Sequence, residues 1–577
     1  MSRAIQDQPP VSPRRPAWAE RYPPGVDWLL DIPVQPVPAL LDEAARRFGA
    51  RPFLDFLGRR YTYGETAALV TRAACGFQRM GVGKGVKVGL FLPNSPYGVV
   101  CYFAILKAGG TVVNYNPLYA ERELIGQIQD SDTTILVTLD LAQLYDKAAV
   151  ALRETRLRKV LVCRMAAALP ASKRVMFRLT RQHELAKMPR NERHLSFDDL
   201  IDNDGAYDLI ETAPQSDIAV LQYTGGTTGV PRGVMLSHQN IYANTCQIRS
   251  WYTRAVPGRE RLLAILPFFH SFGMTGVMNF AVSLGGELVI LPRFDPQETL
   301  RAIARKRVTM LIGVPTLFRA LTECPAIARY DLSSLKISVS GGDALPGAVQ
   351  EKFVRLSGCP LGEGYGLTEC APVAAATNPL EGIERPGSCG LPLPRTTVEI
   401  RSAPEPWIGL PVGEVGEICV SGPQVMLGYW RQPAATAECL SSGRLRTGDL
   451  GRLDADGFLY FVGRLKDVIA VHGYKVYPRI VEDAIRLHPG IADVAVVGVP
   501  DPVRGQAPKA YIVPAKGALL TEEGLRGFLA DKLSPIEIPR SVEFRAFLPK
   551  SAAGKILKRV IWGDVQGDRP PETGGTE

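Results

Sequence analysis

Between Pro38 and Asn114 the chain alternates stretches of helical periodicity with short apolar runs of strand length, and this alternation constrains the fold more than any other feature. Pro38 to Phe48 carries apolar residues at helical spacing and stops at Gly49. A hairpin-like FLDFLGRRYTYG follows, then a helical stretch from Glu65 to Met80, an apolar strand KVGLFLP, a helix from Pro96 to Ala108 and a strand at Thr111 to Asn114. Strands that alternate with helices imply crossover connections and largely parallel sheet, hence an α/β domain. The glycines of Gly81 to Gly89 fit no nucleotide-loop pattern and read as a turn.

Gln222 to Gly233 reads QYTGGTTGVPRG and lies between two apolar runs, Ile218 to Leu221 and Val234 to Leu236, so it joins two strands. Glycine lets backbone N–H groups approach an anion closely, threonine hydroxyls add donors, and Arg232 adds a fixed positive charge. Thr224, Gly225, Gly226, Thr227, Thr228, Gly229 and Arg232 are therefore candidate phosphate contacts; a plain surface turn is the alternative reading of the loop alone.

At 577 residues the chain exceeds what one core usually serves. From Pro423 the texture shifts to short strands and turns. Beyond Lys466 comes a compact tail, with a helix from Pro478 to Leu487, strands at Val494 to Val499 and Ala510 to Val513, a helix from Thr521 and a last strand at Ser541 to Phe547. The expected division is an arm over 1–37, a large domain over 38–465 and a small α+β domain over 466–577. The net charge of +9 is too diffuse over this length to argue for nucleic acid and is compatible with an anionic substrate or membrane surface. Ten scattered cysteines include no C-x-x-C pair and no zinc spacing, as expected for thiols in a reducing cytoplasm. The first residues lack the apolar core of an export signal and read as a loose arm.

Leu262 to Gly286 contains no charged residue and is long enough to span a bilayer. Its Pro267, His270, Ser271 and Asn279 would be unpaired in lipid, so it reads as a buried core or pocket segment. From Arg153 to Arg193 there are twelve Lys and Arg against three acids, with apolar residues interleaved in KRVMFRLTRQHELAKM. This is either a solvated helix face or a stretch, around Lys173 to Lys187, that lies on an anionic membrane.

Four further segments place polar residues where a core has no use for them: SGGD at 340–343, GYGLTE at 364–369, RTGDL at 446–450 and KSAAGKI at 550–556. With the loop, and in this order, they resemble the adenylate-forming superfamily of acyl-CoA synthetases, luciferases and nonribosomal-peptide adenylation domains, from about Pro38 to Arg559. The wording of YTGGTTGVPRGVMLSH, EGYGLTECAP, GPQVMLGYW and LPKSAAGKILKR is most similar to bacterial medium- and long-chain fatty-acid CoA ligases.

The resemblance implies a two-step reaction. A carboxylate joins the α-phosphate of ATP with release of pyrophosphate, and the acyl group then passes to the thiol of coenzyme A. Thr224, Thr227, Thr228 and the loop glycines would hold the β- and γ-phosphates, Thr368 the α-phosphate, and Glu369 a Mg²⁺ ion. Asp449 would accept from both ribose hydroxyls with Arg464 supporting the sugar, while Gly341, Gly342, Asp343, Gly364 and Tyr365 frame adenine. Lys555 matches the catalytic lysine, Lys466 the hinge of a mobile small domain, and Gly473, Tyr474 and Lys475 the pantetheine tunnel. His270 falls beside the carboxylate, where amino-acid-adenylating domains carry an Asp, which argues against an amino-acid substrate. Val277, Met278, Phe280 and the run at Gly313 to Pro315 are candidate walls for the acyl chain.

The sequence departs from the family at Pro231-Arg232-Gly233, where the loop usually ends Pro-Lys-Gly. Arg keeps the charge but is bulkier, which bears on loop closure. The resulting expectation is a cytoplasmic, AMP-forming fatty-acid CoA ligase, with contact at the inner membrane face and a homodimer both compatible. A ligase with another acceptor, such as a carrier protein, and a non-catalytic acyl- or nucleotide-binding homologue are the alternatives.

Overall fold

Capping and chain periodicity set the first elements. Thr62 accepts from the Glu65 N–H and Glu65 returns the bond, so a helix starts at Tyr63 and runs to Arg79. Ser95 caps the helix Pro96–Lys107, whose proline sits in the first turn where no N–H is needed. In the computed structural model, residues 15–189, 191–224, 231–403, 407–472, 474–550, 556–558 and 560–561 are described.

Among these residues the strands form four sheets. One has eight strands in the order Gly428–Tyr429, Arg232–Ser237, Ile218–Thr224, Thr111–Asn114, Lys87–Leu90, Ile135–Leu139, Lys159–Cys163 and His194–Ser196. It is parallel through its centre and antiparallel where the loop strands pair. A nine-stranded sheet runs from Leu391–Pro392 through Leu361–Gly366, Ile337–Gly341 and Met310–Gly313 to the hairpin Pro52–Phe56 and Arg59–Thr62. Its interior is again parallel. The helix Pro96–Lys107 is buried from Pro96 to Leu106, as a helix covered on all sides must be. A five-stranded antiparallel sheet includes Arg444–Leu453 and Leu459–Arg464. The fourth sheet belongs to the tail, which has a hydrophobic cluster of its own from Ile469 to Leu533. The expected class is borne out: a large unit of mixed, largely parallel sheets with helices, and a small α+β unit.

The first residues, expected as a loose arm, lie almost wholly outside the described residues; from Ala17 the chain packs onto the large unit, with Trp28 2% exposed, Tyr22 edge-on to Trp251 at 5.1 Å, and Arg395 donating to the Trp28 carbonyl. The helix expected from Pro96 to Ala108 ends one residue sooner, with Ala108 as its cap. The uncharged stretch 262–286 is largely buried, as expected, with His270 exposed, and forms the strand Arg261–Ala264 and a helical run from Ser271 to Leu284 that includes a π-helical turn at Met274–Asn279. No described helix is long and apolar enough to cross a membrane. All ten cysteines are free, three of them only half-buried.

Candidate active site

The strand Ile218–Thr224 ends at the glycine loop, and its return strand Arg232–Ser237 pairs with it antiparallel, matching Thr224 to Arg232. Gln222 on the outgoing strand accepts from Asn114 Nδ2 at 3.0 Å and donates to the Phe269 carbonyl at 2.7 Å. This fixes the segment that carries His270 relative to the loop. On the return strand, Arg232 lies 5.1 Å from the centre of the Tyr429 ring, and the Tyr429 hydroxyl donates to Glu369 Oε1 at 2.8 Å. The loop cation and Glu369 are thus joined through one aromatic side chain.

Thr368 and Glu369 occupy a short turn after the strand Leu361–Gly366. Gly366 is required there, because a Cβ would stand 2.0 Å from the Pro372 carbonyl oxygen. The Thr368 hydroxyl meets that of Ser271 at 3.2 Å, directly beside His270. Partial desolvation lowers the His270 pKa below the usual imidazole value. Its Nδ1 accepts from the Phe272 N–H at 3.3 Å, which leaves the ring proton on Nε2. Burial raises the Glu369 carboxyl, with the Asp449 charge adding to it and the Tyr429 hydroxyl and Arg464 opposing it.

At the opposite end, Asp449 pairs with Arg464 across neighbouring strands, Oδ1 to Nε 3.5 Å, and accepts from the Tyr365 hydroxyl at 2.9 Å. Tyr365 stacks on Phe461 with centroids 6.1 Å apart. Gly341 and Gly364 are register partners on adjacent strands, and Gly342 turns the chain away at φ +82°. Asp343 is exposed and accepts from the Ala344 N–H.

His270, Gly341, Gly342, Gly364, Tyr365 and Thr368 line one cleft of about 90 Å³. Its apolar wall includes Ile248, Tyr252, Phe272, Ile312 and Val339. Of the expected wall residues, Met278 lines a second, small cavity of about 20 Å³ with Tyr102, Phe268 and Phe269. Val277, Phe280 and Gly313 to Pro315 line neither; Gly276 and Ile312, their neighbours, do. Lys466 sits in the turn Leu465–Asp467. Tyr474 is 65% exposed and Lys475 donates to the Ala403 carbonyl at 3.2 Å, so neither faces the cleft in this arrangement. Gly225, Gly226, Thr227, Thr228, Gly229, Gly473 and Lys555 lie outside the described residues.

The sequence reading missed Tyr429, Ser271, Phe461 and Glu363. Glu363 is buried beneath the cleft, accepts from the Leu345 N–H at 3.3 Å, and is pushed up to about 7 by burial, against the pull of Arg479 from the small unit. The signal for Tyr429 was present in GPQVMLGYW, but an aromatic in an apolar run reads as core.

A Mg²⁺ ion fits this donor set. Among the described residues no group of three or more His, Cys, Asp or Glu forms a metal cage. Glu369 would offer a single hard oxygen, raised in pKa by burial, and Mg²⁺ takes most of its ligands from water and phosphate.

A largely parallel α/β core carries a cleft lined by His270, Thr368 and Tyr365, with Tyr365 bonded to Asp449 and Thr368 adjacent in sequence to Glu369. The chain belongs to the AMP-binding enzyme family, whose model matches residues 41–430, with the AMP-binding enzyme C-terminal domain matching 480–555. It is 40% identical over 553 residues to a long-chain-fatty-acid–CoA ligase of Bacillus subtilis, covering 94% of this chain and 97% of that protein. A long-chain-fatty-acid–CoA ligase of Escherichia coli O6:H1 is 37% identical over 565 residues, covering 95% and 98%. Among solved structures, ATP-bound MatB from Rhodopseudomonas palustris superposes with a TM-score of 0.79 at 28% identity, covering 91% of this chain and 98% of that one. The expected superfamily is borne out.

Proposed function

We propose that the protein activates a medium- or long-chain fatty acid with ATP, releasing pyrophosphate, and transfers the acyl group to coenzyme A. The observation that carries this reading is the cleft itself, apolar along its wall and lined by His270, Thr368 and the Tyr365 that bonds Asp449. A fatty acid entering it would meet the His270 Nε2–H with its carboxylate. One N–H bond to one carboxylate oxygen orients the group and leaves the other oxygen to react.

In the first step a carboxylate oxygen attacks the α-phosphorus and the bond to pyrophosphate breaks. Thr368 donates to the α-phosphate, and the loop residues Thr224 to Gly229 with Arg232 hold the departing pyrophosphate. Asp449 and Arg464 hold the ribose; Gly341, Gly342, Asp343, Gly364 and Tyr365 frame adenine. Mg²⁺ bound at Glu369 would neutralise phosphate charge. Lys555 supplies the cation between carboxylate and phosphate. In the second step the thiol of coenzyme A, deprotonated, attacks the acyl carbonyl and AMP leaves. For this the small domain would pivot at Lys466 and bring Gly473, Tyr474 and Lys475 to the cleft.

The reading includes work at the cytoplasmic face of a membrane, where such acids partition. Offering coenzyme A and an acyl carrier protein separately tests the acceptor. Thioester is expected with coenzyme A alone; thioester only on the carrier would transfer the reading to a carrier-protein ligase.

A further inference from the structure

The helix Ala171–Thr180 is built the wrong way round for a solvated surface helix. None of its residues is buried. Phe177 packs partly buried against the main core, while Val175, Met176 and Leu179 stand 59%, 58% and 80% exposed. Spacings of one, three and four residues put these three side by side on the outward face. Single exposed aliphatics are ordinary, but a contiguous apolar face on one turn is not. The helix is also held in place: Lys173 Nζ donates to the Leu57 carbonyl at 2.9 Å, and Arg59 donates to the Ala167 carbonyl just before it.

Cations border that face. Lys173 and Arg178 are exposed on the helix, Arg181 follows it, paired with Glu184 at 3.2 Å, and Lys187 is exposed beyond. Apolar side chains ringed by cations complement an anionic bilayer, whose headgroups take the charges and whose acyl region takes the aliphatics. A second copy of the chain fits worse, because apposing the face with itself would bring the same cations together. Tyr97 donates to the Arg164 carbonyl in the segment leading to this helix, and Gly98, the next residue, lines the second cavity with Phe269 and Met278.

We propose that Ala171–Thr180 is the surface by which the enzyme seats on an anionic lipid bilayer, with Val175, Met176 and Leu179 entering the interface. The proposal rests on the fatty-acid reading only for its purpose, since binding itself needs no turnover. The test uses the full chain with vesicles of phosphatidylcholine alone and of phosphatidylcholine mixed equally with phosphatidylglycerol, read by flotation. Binding is expected to the mixed vesicles and not to the neutral ones, and to weaken as salt rises. The triple change Val175→Ser, Met176→Ser, Leu179→Ser should weaken it about tenfold or more, and Arg178→Glu with Lys187→Glu comparably.

Both variants should release pyrophosphate at the wild-type rate with a medium-chain acid dissolved without vesicles, which shows that they are folded. With a long-chain acid presented in mixed vesicles they should lag the wild type. Equal binding by wild type and triple variant, equal binding to both vesicle types, or a dimer in gel filtration that the triple change abolishes would overturn the proposal. Absence of turnover with every acid would sink the functional reading instead, while flotation still decides the surface.

Discussion

Arg232 stands where the loop ordinarily carries Lys, and the structure gives it a partner in the Tyr429 ring. Replacing it by Lys keeps the charge, so the adenylation rate is expected to change by less than about tenfold; a gain of orders of magnitude would mean the present loop is impaired. Tyr429→Phe keeps the ring and removes only the O–H bonded to Glu369. A hydrogen bond to a charged group is worth about 1.5 kcal/mol or more, so kcat/KM for ATP should fall about tenfold with little change in Tm. An unchanged kcat/KM would exclude Tyr429 from positioning Glu369. Glu363 gives a stability signature. Its pKa in the fold, about 7, lies above the ordinary carboxyl value, with Arg479 pulling it down and Asp343 and the Cys389 thiol beside it. Its contribution is therefore fully present below about pH 4.5 and lost as pH rises through 7, on the order of 3 kcal/mol. Glu363→Gln should flatten the fall in Tm between pH 5 and 8; an identical profile would contradict this. Such residues were hidden in the sequence because their roles arise from contacts across dozens of positions: Tyr429 with Glu369, Ser271 with Thr368.

Elements were far more legible. The helix Pro38–Phe48 and the strand Thr111–Asn114 fall where periodicity puts them, because one face of each pattern is dictated by local chemistry. The loop was rightly expected between two strands, since apolar runs flank it closely. What failed to show was the run from 271 to 284, where a π-helical turn shifts the face and brings Gly276 rather than Val277 to the cleft. The packed stretch from 17 to 37 was also invisible, because its Trp18, Tyr22 and Trp28 follow no period. The turn after Leu361–Gly366 carries a prediction of its own. Gly366→Ala forces a Cβ against the Pro372 carbonyl and should cost about 2 kcal/mol or more and abolish adenylation, seen as a lowered Tm and lost pyrophosphate release. A normal Tm with normal activity would show that the turn can yield.

At the scale of the whole molecule, the small unit meets the large one through Arg479 over Phe461 at 5.2 Å and through Arg319 donating to the Ala492 carbonyl at 2.9 Å. Phe461 in turn supports Tyr365, so Arg479 reaches the nucleotide end of the cleft through one ring. Arg479→Ala should shift the ratio of the two half-reactions severalfold while each remains measurable; equal effects on both would assign Arg479 to stability alone. The two-domain plan was legible from the tail's own strand and helix pattern, whereas the docking between units was not, because it depends on single long side chains. The central claim is that this cleft joins a fatty acid to AMP. A panel of straight-chain acids from short to long, each with ATP, Mg²⁺ and coenzyme A and assayed for AMP, tests it most directly. AMP should form in proportion to acyl-CoA and rise toward medium or long chains; no AMP with any acid, despite tight ATP binding, would contradict it.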